Sequence, residues 1–79
     1  MDETRQFIFE ILRNKRINIG HFVEYKWIWH ATATASPIIQ NNWKQVLENM
    51  LDDGLLEERT GHNSGAFLTQ QGFNEVYNQ

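Results

Sequence analysis

SPIIQNNWKQVLENMLDDGLLEERTGHNSGAFLTQQG, residues 36–72, carries the signals that decide the fold. Ser36 is a favoured N-cap because its hydroxyl can accept from a free backbone N–H, and Pro37 suits the first helical position, where no N–H is needed. Ile39, Trp43, Val46, Leu47 and Met50 recur at helical spacing, which leaves Asn41, Lys44, Gln45, Glu48 and Asp52 on a polar opposite face. Gly54 follows Asp53 where a residue in the left-handed region ends a helix, so the spacing predicts a helix from Pro37 to Asp53. Beyond it, Leu55 to Thr60 can extend into a strand, Gly61-His62-Asn63-Ser64-Gly65 is a turn, and Ala66 to Leu68 return. Thr69 then caps a short helix in which Phe73, Val76 and Tyr77 fall on one side.

Towards the N-terminus, Phe7, Ile8, Ile11 and Leu12 predict a core-facing helix from about Asp2 to Arg16, with Arg5, Phe9, Arg13 and Arg16 on another face. Its early acids and late bases match the helix dipole. Between Ile17 and Ala35 two patterns coexist. Val23, Tyr25, Trp27 and Trp29 alternate like a strand, whereas Ile19, Phe22, Val23, Trp27 and His30 also fit a helix. The preferred reading is a helix from about Gly20 to His30 with Asn18 as N-cap, since a three-helix core needs that gap filled. The order is then helix, helix, helix, strand, strand, helix: an α+β chain, read as one domain over residues 1–79.

Composition sets the limits. A core of 79 residues buries only about 60% of the surface of the unfolded chain, so stability is modest. There is no cysteine, which removes disulfides and thiolate metal cages and suits a reducing compartment such as the cytoplasm. No apolar run approaches the roughly 20 residues that span a bilayer, so no membrane role is expected. The net charge of −3 is unevenly placed: six of the seven Lys and Arg residues lie in residues 1–44, whereas residues 45–79 carry Glu48, Asp52, Asp53, Glu57, Glu58 and Glu75 against Arg59 alone. An anionic partner would therefore meet the N-terminal half.

The stretch from Val46 to Gly72 resembles the winged-helix regulators of bacteria and archaea, such as the MarR and PadR families. Leu51-Asp52-Asp53-Gly54-Leu55 is similar to the Leu-x-x-x-Gly-Leu that ends their recognition helix. Leu68-Thr69-Gln70-Gln71-Gly72 is similar to the Leu-Thr-x-x-Gly that leaves the second wing strand. The resemblance implies a winged helix-turn-helix with a three-helix core, a two-stranded β-wing and a short C-terminal helix. It also implies a small prokaryotic or phage transcription regulator that binds double-stranded DNA without a cofactor.

On that resemblance the start of the Pro37 helix enters the major groove. Gln40, Asn41, Lys44 and Gln45 then face base edges and phosphates, since amides can donate to and accept from adenine at once. Each also has the plainer reading of a solvent-facing residue. In the wing, Arg59 and Asn63 are the candidates for phosphate, although Glu57 and Glu58 beside Arg59 depart from the basic wings of the family. Phe9, Arg13 and Trp29 are candidates for a partner interface, in a homodimer or with another protein. That use, a winged helix serving protein contact without DNA, is the alternative function favoured by the chain's acidity.

An enzyme is not expected. His21, His30 and His62 have no paired metal spacing, and no serine sits in a nucleophile elbow. Gly61 and Gly65 lack the Lys-Ser/Thr of a phosphate loop, and the acid pairs Asp52-Asp53 and Glu57-Glu58 do not converge. No catalytic, cofactor or metal residue is therefore assigned.

Overall fold

The chain is described by a computed structural model covering residues 2–78. Four helices and three short strands follow one another as α1 (Asp2–Asn14), β1 (Phe22–Glu24), α2 (Tyr25–Thr32), α3 (Pro37–Asp52), β2 (Leu56–Glu57), β3 (Gly65–Leu68) and α4 (Gln70–Tyr77). The architecture is α+β, with a three-stranded antiparallel sheet in the order β1-β3-β2.

α3 ends where its sequence says it should. The Ser36 side chain accepts from the Ile39 N–H at 3.5 Å, Pro37 opens the first turn, and Gly54 leaves it with φ of 80°. Ile39, Trp43, Val46, Leu47 and Met50, the whole predicted stripe, are buried. α1 packs against this helix and against α4, and the core between them includes Ile8, Phe9, Leu12, Val46 and Met50.

The helix expected over 20–30 is corrected. Phe22–Glu24 are a strand, and α2 starts only at Tyr25. The cause is tertiary: β3 carries hydrogen-bonding groups on both edges, and pairing them on one side only would leave the other side open. β1 fills that side in antiparallel register, Phe22 opposite Phe67, Val23 opposite Ala66 and Glu24 opposite Gly65, while Leu56 and Glu57 of β2 face Leu68 and Phe67 on the other. Gly20 N–H donates to Leu68 C=O at 2.8 Å, and Leu68 N–H to His21 C=O at 3.1 Å, so the pairing runs past the strand ends. The expected two-stranded hairpin is thus two-thirds of a sheet. Asn18 caps no helix; its Oδ1 accepts from the next backbone N–H, that of Ile19, in the turn before β1.

The Leu68-to-Gly72 segment closes the structure against the end of α3. Thr69 Oγ1 donates towards the carbonyls of Gly54 (2.6 Å) and Leu55 (3.0 Å) and accepts from Gly72 N–H (2.9 Å). One hydroxyl therefore caps α4 and ties it to the Gly54 corner. Gly72 is buried with its α-carbon against the Leu55 carbonyl, in the space a side chain would need. At its other end α4 is held to α1 and the turn after it: Arg13 Nη1 donates to Val76 C=O at 2.7 Å, and Tyr77 hydroxyl donates to Ile17 C=O at 2.7 Å.

Candidate functional site

With α2 beginning at Tyr25, Ile28 and Thr32 turn inward, and Tyr25 and Trp29, four residues apart, share another face, Tyr25 half-buried against the edge of the core and Trp29 exposed. Trp29 is 59% exposed. Opposite that face lies the first half of α3, and the hairpin stands at its side. Between the three runs an open groove with Trp43 on every section of its wall. A central section of about 360 Å³ is bordered by Tyr25, Lys26, Trp29, Trp43, Lys44 and Ser64. Beyond Trp29 it continues past His30 and Gln40, and beyond Lys44 it runs between Leu47, Leu51, Glu48 and Glu58. Its two ends differ in charge: carboxylates border only the Glu48 and Glu58 end.

Tyr25 fixes the hairpin to this groove. Its backbone N–H, unpaired within α2, donates to Ser64 C=O at 2.9 Å, and its hydroxyl donates to Glu58 Oε2 at 2.8 Å, so one residue grips both arms. Burial raises the phenol pKa above its ordinary 10.0, and the Glu58 carboxylate adds to this by accepting the hydrogen bond and repelling a second negative charge. The native state therefore keeps a proton that the unfolded chain gives up above its ordinary pKa. The contribution to stability is complete below pH 10.0 and falls as pH rises beyond it. Tyr25→Phe should cost about 1 kcal/mol at neutral pH. It should also show a shallower alkaline loss of stability than the wild type when urea midpoints are compared on either side of pH 10.0; parallel losses in the two proteins would refute the coupling.

The residues expected to contact a partner are dispersed by the structure. Asn41, Lys44 and Gln45 lie exposed along α3, with Ile38, 55% exposed, one turn before them. Lys44 Nζ rests 5.7 Å from the Trp43 ring centre, and Gln45 donates to Asn49 Oδ1 along the helix at 3.2 Å. Gln40 is not a free amide: its Nε2 lies within 3.0 to 3.4 Å of the carbonyls of Thr32, Ala33 and Ala35 and satisfies the end of α2. Arg59 is also engaged, donating to Glu57 Oε1 at 2.8 Å with its guanidinium 4.1 Å over the Phe67 ring. Asn63 is exposed in the hairpin turn, while the neighbouring His62 ring packs on Phe22 and Phe67.

Of the three interface candidates only Trp29 is available. Phe9, expected on the surface, is 1% exposed and belongs to the core. The reason is α4: Arg13, one turn after Phe9 on the same face of α1, reaches the α4 carbonyl of Val76, so this face is already covered. Among the described residues, ion pairs take up three of the Lys and Arg side chains, as Arg5–Asp53 (3.0 Å), Lys26–Glu24 (3.4 Å) and Arg59–Glu57 (2.8 Å). Of the other groove residues, Trp43 is expected only as part of the buried stripe of α3 and Tyr25 as a core aromatic, and Lys26 has no site role in the sequence; the i, i+4 relation of Tyr25 and Trp29 becomes visible once the helix start is moved. Among the described residues no three His, Asp or Glu side chains are grouped to hold a metal ion, and no helix is long and apolar enough to cross a membrane. No protein-family model, curated protein or solved structure matches the chain.

Proposed function

We propose that this chain is a winged-helix domain that binds double-stranded DNA, a small prokaryotic or phage transcription regulator working in the cytoplasm without a cofactor. The observation that carries the reading is the outer face of the first half of α3, where Ile38, Asn41, Lys44 and Gln45 are exposed and stand outside the ion pairs of the domain. The element order and the β1-β3-β2 sheet support it, since they set a hairpin beside that helix as a wing would be set. A helix about 10 to 12 Å wide with its side chains fits the roughly 12 Å major groove. Glu48 and Asp52 follow on later turns, so α3 would enter by its N-terminal half and lift its acidic end clear of the phosphates.

Lys44 is the principal phosphate contact on this reading. In fluorescence-anisotropy titrations with a mixed-sequence duplex, binding should be tightest at low salt and weaken as salt rises. Lys44→Ala should bind more weakly on all sequences and reduce the slope of log K against log salt by about 0.9. No binding by the wild type at low salt would end the proposal.

A second reading, a winged helix used for protein contact, is favoured by the exposure of Trp29 and Ile38 and by the internal pairing of the cations. Light scattering separates its homodimeric form from a monomer.

A further inference from the structure

We propose that the groove between α2, α3 and the hairpin holds a segment of single-stranded nucleic acid, with an unpaired base stacked on Trp29 and phosphates on Lys26 and Lys44. The inference goes beyond duplex recognition by α3 and shares only Lys44 with it; Trp29, Lys26 and His30 lie outside that reading. Charge gives the first argument. In an acidic chain of net charge −3, the two groove sections that meet at Trp29 are bordered by Lys26, Lys44 and His30 and by no carboxylate. Such a lining suits an anionic occupant. The Lys26–Glu24 pair does not alter this, for at 3.4 Å between side chains that are 64% and 31% exposed it is a surface contact of little worth, and Lys26 can turn to a phosphate.

The rings give the second argument. Trp29 is 59% exposed, and its ring meets that of His30 at 5.0 Å with a 43° tilt, which leaves a broad face of the indole bare. Trp43, 8% exposed, closes the groove beneath. An exposed indole in a groove that two ammonium groups also border is the combination that strand-binding proteins use, bases on the rings and backbone on the cations. A duplex cannot use it, because each paired base is already covered by its neighbours. An acidic peptide would satisfy the lysines but has no need of a flat aromatic face. The carboxylates of Glu48 and Glu58 at the other end of the groove repel phosphate, so the strand would run from Lys44 towards Lys26 and His30.

The probe is an oligothymidylate of about 15 nucleotides, titrated into the intact chain while tryptophan fluorescence is followed. The expected result is quenching, with an affinity that falls roughly sevenfold between about 50 and about 200 mM salt, as two phosphate contacts on a single strand require. Trp29→Ala should weaken binding by about 5- to 150-fold and abolish most of the quenching, while Trp29→Phe, which keeps a stacking face, should retain most of the affinity. Lys26→Ala should lower the salt slope by about half. Trp29 is exposed, so unchanged thermal melts of the two Trp29 variants will show that the fold is intact. Duplex binding by Trp29→Ala at the wild-type level, beside weakened oligothymidylate binding, would show that the indole serves the single strand and not the duplex. Absence of quenching at low salt, unaltered affinity in Trp29→Ala, or equal quenching by polyglutamate would overturn the proposal, the last in favour of an acidic protein partner, whatever the outcome with duplex DNA.

Discussion

Gly72→Ala is expected to cost about 2 to 4 kcal/mol of stability. A β-carbon at this position would overlap the Leu55 carbonyl oxygen and come within 2.8 Å of Leu68 Cδ1. The carbonyl belongs to the corner between α3 and β2, and it also receives the Thr69 hydroxyl and the Thr69 N–H, so it cannot move without loosening both. The alternative is for α4 to lift, which breaks the Thr69 cap and exposes Val76. Overpacking alone costs about 1 to 3 kcal/mol, and a lost cap adds about 1. Against the roughly 4 to 12 kcal/mol that a chain of this size commands, that is a large share. Urea unfolding followed by circular dichroism measures it, with Gln71→Ala, an exposed neighbour, as the control. A Gly72→Ala midpoint equal to that of the control would mean that α4 does not sit on the corner as described.

Phe9→Ala is expected to cost about 3 to 5 kcal/mol, and Phe9→Glu to abolish folding at neutral pH. Phe9 is among the largest fully buried side chains, so its removal opens a cavity, and a carboxylate there would be enclosed, with Arg13 one turn on already held by the Val76 carbonyl. The experiment separates two pictures of α1. A surface Phe9 holding two copies together would give a folded monomer on substitution by Glu, seen as a halved mass in light scattering with an unchanged melt. A core Phe9 gives loss of the melting transition itself. Finding a stable, folded Phe9→Glu protein would remove α4 from the position assigned to it.

The two cases also show what the residues disclose by themselves and what they do not. α3 was legible because its boundaries are local chemistry: Ser36, Pro37 and Gly54 act within a few bonds of where they stand, and each did what its type prefers. The Thr69 cap was legible for the same reason. β1 was not, because three residues are too few for a periodic pattern, and what makes Phe22 to Glu24 extended is a partner more than 40 residues away. Phe9 misled because α1 is covered on two sides, and although α4 is itself legible, its docking on this side of α1 is sealed by a backbone carbonyl, that of Val76 held by Arg13, which no side-chain pattern announces.

The candidate site follows the same division. Asn41, Lys44 and Gln45 could be placed outward from the helical period of α3 alone. Gln40 shares that period, yet it is drawn to the open carbonyls at the end of α2, and Arg59 to Glu57 and Phe67; both depend on how the elements are set against each other. Trp29 was recognisable as an aromatic of interest, and its exposure followed only once α2 began at Tyr25.

The middle strand of the sheet has a consequence for how the molecule comes into being. β3 joins both outer strands, and one of them lies in the first third of the chain. During synthesis the earlier strand must wait, its amide and carbonyl groups served by water, until Leu68 has left the ribosome. Partial products that lack β3 can therefore form helical turns but not this sheet, which is assembled only once its middle strand has been made.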